Sequence, residues 1–438
     1  MKNKINLLLF VSALAFAFSS CNDEDPADVV ACFTFSPEEN IQVGDTVFFS
    51  NCSQEAQETV WTFGDDESSM ETNPSHAYTA PGIYDVTLTA INGGVIVTAT
   101  QSVNVAADLS YIINYGSYSG DKTTISTFNK YVDEDQVSNG YYAEVNGVAK
   151  TSNTQYAYNY NGNIYFMDNN VDGISWVNNK TFLQTSNAIT TDIHKPRFCV
   201  GSGDYLYVSC WGSDAIFSGD LSISYIAKVD LSSNQVVSKI SLPGGPEGLE
   251  IVNDKIYAAL TFKDSVAIVD LSNESVNYIE TPARTTNFEK DNEDNLYVTL
   301  TRDWDDYVTQ TGIGYINTTT NQLESIYELN GVGTSYDNVM EPNADFSRLY
   351  VMSSESDENY NVSGSIYVFD VAAKSFESDK LTEGISGING VDFYDNKVFC
   401  FVSESVTGNG KVITYSEDGT KVSEYETGIA PFMLLKVE

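Results

Sequence analysis

Seven copies of one unit recur between Tyr111 and Ser416, at a period of about 40 to 50 residues. Each is an apolar, aromatic-marked strand, a polar loop and a second strand ending on a turn former. This spacing predicts an all-β chain whose larger part is a seven-bladed β-propeller. Two further observations agree. The stretch from about Val29 to Val105 reads as the short alternating strands of a small β-sandwich. The chain ends in GIAPFMLLKV, Gly428 to Val437, an inner-strand pattern with no blade of its own.

Taken in order, the chain begins with Lys2 and Lys4, an apolar run from Ile5 to Phe18, and Ser19-Ser20 before Cys21. Residues 1–20 therefore read as a secretory signal, too short for a convincing membrane span. Cys21 placed directly after Phe18-Ser19-Ser20 resembles a bacterial lipobox, which implies lipidation of Cys21; an ordinary cleaved signal is the alternative. Residues 21–28 form an acidic tether with Asp23, Glu24 and Asp25. Such a cluster is similar to the export flag of Bacteroidota-type surface lipoproteins. That resemblance implies an outer-membrane, lipid-anchored, cell-surface location, with the membrane touched only through the anchor.

Residues 29–106 carry VFFSNCS from Val47, WTFGD from Trp61, NPSHAY from Asn73 and PGIYDVTLTA from Pro81. Together these resemble a PKD domain over its whole length, with Asp66 standing where that family has a second glycine. The resemblance implies a spacer or protein-contact module. Trp61 is expected in its core, Gly64 in a permissive turn, and His76 and Tyr78 as structural hydrogen-bonders. Cys32 and Cys52 lie in neighbouring expected strands and are candidates for a disulfide in an oxidising compartment. With Cys199, Cys210 and Cys400 they make an odd number besides Cys21, so complete pairing is excluded. Cys199 and Cys210 flank a turn at unequal distances and read as buried thiols.

Residues 107–438 hold the repeats. LYVSCWG at Leu206 with YIAKVD at Tyr225, and IYAALTF at Ile256 with SVAIVD at Ser265, are the clearest copies. Segments such as RFCV from Arg197 and GLEIV from Gly248 read as inner strands, and QVVSKISL from Gln235 as an outer one, giving four strands per blade. The first unit opens at its second strand, so the C-terminal segment is expected to close the ring against Tyr111–Tyr115. Asp230, Asp270, Asn317 and Asp370 end the second strands of their repeats and are expected to start turns through their own backbone. Asp291–Asn295 has a calcium-loop composition without the glycine and distal glutamate of an EF-hand, and the turn reading is preferred.

Composition narrows the partners. The chain has 61 acidic and 22 basic residues; removing residues 1–20 takes away two lysines and moves the formal charge from −39 to −41. Nucleic acid and anionic lipid are poor partners for such a surface. Enzymatic motifs are missing: beyond His76 and His194 there is no histidine, and there is no H-E-x-x-H, paired-cysteine or G-x-S-x-G signature. The chain is therefore read as a non-enzyme without a cofactor, any calcium being structural.

The propeller half, on strings such as NGNIYFMDNN at Asn161 and GDYLYVSCWG at Gly203, resembles YVTN-type, surface-layer-like seven-bladed propellers. Among these are the lipid-anchored propellers that capture cobalamin above a TonB-dependent transporter. The resemblance implies capture of a small-molecule solute, a corrinoid first, for such a receptor. Loops joining second to third strands, and outer to next inner strands, open on one face and are long here at 211–220, 302–307 and 356–360. Candidate ligand contacts on that face are Trp211, Phe217, Phe262, Trp304 and Tyr307 as flat apolar groups, with His194, Arg197, Arg284 and Asp305 as polar ones. The alternatives are adhesion or glycan contact, siderophore capture, and a calcium-dependent propeller hydrolase.

Overall fold

The computed structural model describes residues 28–437 apart from 118–119, 133–135, 185–187, 303–308, 333–338, 358–360 and 406. Cys21, Trp304, Asp305 and Tyr307 lie outside the described residues. The chain divides into two units, Met1–Ala106 and Ala107–Glu438.

The first unit is a β-sandwich. One sheet orders Phe33–Ser36, Thr46–Asn51 and Ser75–Ala77; the other has Gly82–Asn92 between Val95–Ala106 and Glu58–Thr62. Period-two alternation is plain in Gly82–Asn92, where Val86, Leu88 and Ala90 are buried while Asp85 faces water. Val86 and Leu88 meet Phe33, Phe49, Trp61 and Phe63 in one core. The buried Trp61 indole donates to the Glu71 carbonyl at 3.0 Å, and Tyr78 to the Phe63 carbonyl at 3.1 Å. His76 stacks on Phe63 at 4.2 Å and bonds Asp65 at 2.6 Å, a structural arrangement. Gly64 has φ +90, and a Cβ there would meet the Asp85 backbone nitrogen at 3.0 Å. Asp66 also adopts a left-handed conformation, φ 70, so the turn keeps its shape without the second glycine. Cys32 and Cys52 form a disulfide.

The second unit is a seven-bladed β-propeller of seven antiparallel sheets. Its inner strands, blade by blade, are Pro431–Leu435, Thr154–Tyr160, Pro196–Ser202, Pro246–Val252, Arg284–Lys290, Met340–Pro342 and Ile388–Tyr394. The first of these comes from the end of the chain and pairs with Ser110–Asn114, with Pro431 opposite Asn114 and Leu435 opposite Tyr111. Blades adhere through apolar layers; Tyr165, Met167 and Trp176 of the second blade pack with Leu206, Val208 and Ala227 of the third. Each fully buried aliphatic side chain contributes roughly 1.5–3 kcal/mol. Cys199, Cys210 and Cys400 are buried free thiols.

Turn chemistry explains the repeat. The Asp230 carboxylate accepts from the Ser232 and Ser233 amides, both at 2.9 Å, and Asp270, Asn317 and Asp370 accept likewise from amides two or three residues on. In the Asp291–Asn295 turn, Asp291 accepts from the Glu293 and Asn295 amides.

Two blades depart from four regular strands. The second blade has three, Thr154–Tyr160, Asn163–Asp168 and Gly173–Asn178. After Asn178 the chain turns inward at Phe182, φ 55, whose buried ring packs on Tyr111 at 4.4 Å and Tyr141 at 5.0 Å, leaving Gln184 a single bridge to Val177. In the sixth blade Ser375–Phe376 and Thr382–Ser386 share the outer position against Val362–Asp370. A helix, Tyr141–Asn146, connects the first and second blades between left-handed Gly140 and Gly147.

Candidate ligand site

The inner strands meet their neighbours in a common register. The residue opposite the aromatic of each second strand is Tyr158, Val200, Glu250, Glu289, Glu341, Asp392 or Leu435, facing Tyr165, Tyr207, Tyr257, Tyr297, Tyr350, Phe399 and Tyr111 respectively. Four successive blades thus place a carboxylate at one level. These carboxylates line a cavity of about 420 Å³ at the centre of the ring, walled by all seven inner strands. Sequence reasoning missed this group. The available signal was an acidic residue one hairpin ahead of the Tyr or Phe near the start of the second strand in four successive units.

Their pairing is unequal. Glu250 lies 3.5 Å from Lys290. Lys436, just past the closing strand, is paired to Glu341 and stands 3.7 Å from Asp392, which also accepts from the Leu434 amide at 2.7 Å. Burial works against the Lys436 charge, but Glu341 and Asp392 outweigh it and hold the ammonium above its ordinary range. Among the described residues the Glu289 carboxylate has neither hydrogen bond nor ion pair. Burial, then the charge of Glu341, pushes it well above the usual carboxylate range.

Arg197 and Glu247 also line the cavity. They form a buried ion pair in which Arg197 Nε and Nη2 donate to Glu247 Oε1 at 3.0 and 2.9 Å. The guanidinium carbon sits 4.1 Å over the Trp211 ring, whose Nε1 donates to the Pro246 carbonyl at 3.1 Å. Phe262 meets that ring edge-on at 4.9 Å, and Phe217 meets it at 5.7 Å. Gly245, φ +66, makes this packing feasible, since a Cβ there would lie 2.4 Å from the Phe262 ring.

The expected contacts separate accordingly. Phe217 is 61% exposed and Phe262 half-buried, so both present ring surface. Trp211, only 2% exposed, and Arg197 are buried beneath that loop, one held by a carbonyl and the other neutralised by Glu247, with Arg197 also lining the central cavity. Arg284 is half-buried and donates to the Thr261 carbonyl at 3.5 Å. His194 is half-exposed, 3.5 Å from Asp172, and lines a separate groove of about 700 Å³ with Asn170, Lys195, Asp214 and Lys239. No group of three or more His, Cys, Asp or Glu among the described residues is arranged to hold a metal ion.

Comparison with known proteins agrees with the architecture. Residues 32–107 match the PKD domain family. No curated protein matches the chain. Among solved structures, a quinoprotein alcohol dehydrogenase-like protein from Bacteroides thetaiotaomicron is similar, at 16% identity and TM-score 0.56, over 90% of this chain and 95% of its own. A candidate 6-phosphogluconolactonase from Bacteroides uniformis, at 12% identity and TM-score 0.54, covers 75% of this chain and 100% of its own. A functionally unknown protein from Desulfotomaculum acetoxidans, at 12% and 0.51, covers 76% and 100%. At such identities the likeness is one of fold alone.

Proposed function

We propose that this chain is a lipid-anchored, surface-exposed binding protein whose propeller captures a solute on its long-loop face for a TonB-dependent outer-membrane transporter. The observation that carries this reading is the aromatic step of Phe217 and Phe262, held on Trp211 and Arg197 beside the central cavity. A water-facing ring braced by two buried side chains is a rigid apolar contact, which loses little freedom on binding. The reading is of binding rather than catalysis; His194, the propeller's histidine, stands 3.5 Å from Asp172 in a groove apart from the carboxylates. A corrinoid is the first choice of ligand. Its broad, amide-rimmed ring suits stacking on an open face, and it carries little charge to be repelled by a strongly acidic protein.

Calorimetry against cyanocobalamin, haem and ferric siderophores tests this. Heat with the corrinoid, reduced at least tenfold in affinity by Phe217→Ala with Phe262→Ala, is the expected result. Silence with cyanocobalamin, or indifference to both substitutions, would remove the ligand or the site. Anchoring has its own test. Cys21→Ala should release the protein from the membrane, and neutralising Asp23, Glu24 and Asp25 should leave it anchored but shielded from external protease.

The groove beside His194 favours a second reading, glycan contact, since its lining of amides, hydroxyls and paired charges suits a polyhydroxylated ligand. Retention of the protein on a polysaccharide column, lost on His194→Ala, would support it over corrinoid capture.

A further inference from the structure

We propose that the free edge of the strand Val95–Ala106, in the first unit, pairs with the same strand of a second copy of this chain, antiparallel and about a two-fold axis. The strand runs 12 residues and pairs with Gly82–Asn92 in unbroken register, from Val95 opposite Asn92 to Val105 opposite Gly82. On its other side, among the described residues, Ile41–Gln42 covers only Val105 and Ala106. Residues 95–104 therefore present a row of backbone N–H and C=O groups with no strand beside them.

The devices that ordinarily blunt such an edge are missing: no residue from Val95 to Ala106 is charged or a proline, and the register has no bulge. Outer strands of the propeller keep them, with Lys239, Glu280, Glu324 and Glu424. Val95 and Ile96 are 44% and 63% exposed, and Thr98 and Thr100 follow them as exposed residues. From the core side Gln101 donates to the Phe33 carbonyl of the facing sheet, which holds the edge in place.

Charge and symmetry select the occupant. The chain carries 61 acidic against 22 basic residues, so most approaches of two copies set carboxylate against carboxylate, and this strip sets none. Identical antiparallel strands match donor to acceptor on both sides of a two-fold axis, and such a contact closes at two copies. Directly opposite side chains share a face, so the axis passes through a residue. An axis through Ala99 sets Thr98 opposite Thr100 twice and Val95 opposite Val103, and it leaves each Gly93-Gly94 turn just beyond the paired residues. Threonine pairs across strands are favourable. The contact is one strand wide, so the dimer is weak and depends on concentration.

The test is sedimentation equilibrium of the chain from residue 21 carrying Cys21→Ala, which removes the lipid and that thiol. Its mass should rise with concentration from one chain toward two and no further, and added salt should tighten the dimer by screening the net charge. Thr98→Glu with Thr100→Glu should weaken it about tenfold, as should Thr98→Lys with Thr100→Lys, since like charges then face each other twice. Melting of each variant is checked first. An equimolar mixture of the two variants should recover a mixed dimer, which a merely structural effect would not do. Phe48→Ala, at an exposed ring on the other sheet, should leave association unchanged. A chain that stays single at every concentration, association indifferent to both pairs of substitutions, or variants that do not recover on mixing would overturn the proposal. Should the variants fail to fold, hydrogen exchange of the unsubstituted strand decides. Protection of alternate amides in residues 95–104 that grows with concentration supports the contact, and protection that is the same at every concentration refutes it.

Discussion

Trp211 shows how much of a side chain's role is settled by distant residues. A tryptophan at the start of a long polar loop reads as an exposed contact, and nothing local to Trp211-Gly212 says otherwise. Its direction is decided by the Pro246 carbonyl and by Arg197, and the latter is fixed in turn by Glu247. Such long-range hydrogen bonds leave no local mark in the sequence. Trp211→Ala is accordingly expected to act on stability, by about 3–5 kcal/mol for a large aromatic lost from a packed site, measurable by denaturant titration. Arg197→Ala should cost about 3–5 kcal/mol because it leaves Glu247 buried and unpaired. The double change Arg197→Met with Glu247→Leu should recover most of that loss, and a double variant no better than the single one would show that the pair itself stabilises the loop. Phe217→Ala, at an exposed ring, should move the melting temperature little.

At the scale of elements the repeat was legible because two chemistries recur from blade to blade, the apolar second strand and, in the third to sixth blades, the Asx-type turn that ends the third strand. Asp230, Asp270, Asn317 and Asp370 mark those turns both in sequence and in hydrogen bonding. What escaped were elements without a period. The helix Tyr141–Asn146 is too short for an amphipathic pattern, although its bracketing glycines were visible, and the missing outer strand of the second blade depends on Phe182 finding a core built from Tyr111, Tyr141 and Tyr142. The channel carboxylates were hidden for another reason: acidic residues are abundant, and only the register reveals that four share a level. The closing strand gives the prediction at this scale. Deleting residues 428–438 removes the inner partner of Ser110–Asn114, together with Lys436, which neutralises Glu341 and Asp392. An exposed edge and unpaired buried carboxylates should appear at once, lowering the melting temperature sharply and promoting aggregation in light scattering. An unchanged melting transition would contradict this.

The whole molecule is strongly acidic, and its stability should follow pH in a defined direction. Glu289 has a folded pKa raised by burial above its ordinary 4.5, so the folded state holds more protons there than the unfolded one. Stability therefore falls as pH rises from about 4.5 through the raised value. Surface carboxylates run the other way. Asp418, held down to about 2 chiefly by the Ser416 hydroxyl, contributes stability above its unfolded 3.8 that is lost as pH falls toward 2. The melting temperature should thus peak under mildly acidic conditions and decline toward pH 8, less steeply in Glu289→Gln, and added salt should raise it by screening the net charge. A melting temperature that climbs between pH 5 and 8 would be inconsistent with this. The pairing of Asn114 with Pro431 also has a kinetic meaning. The first blade to emerge during synthesis cannot be finished until the last residues arrive, so the longest loop closure is also the final one. Its cost in equilibrium stability is slight, since closure entropy grows only with the logarithm of length, but it sets the order of events. A chain made head first stays an open arc until its tail arrives, and a tail lost to early termination leaves Ser110–Asn114 without its inner partner.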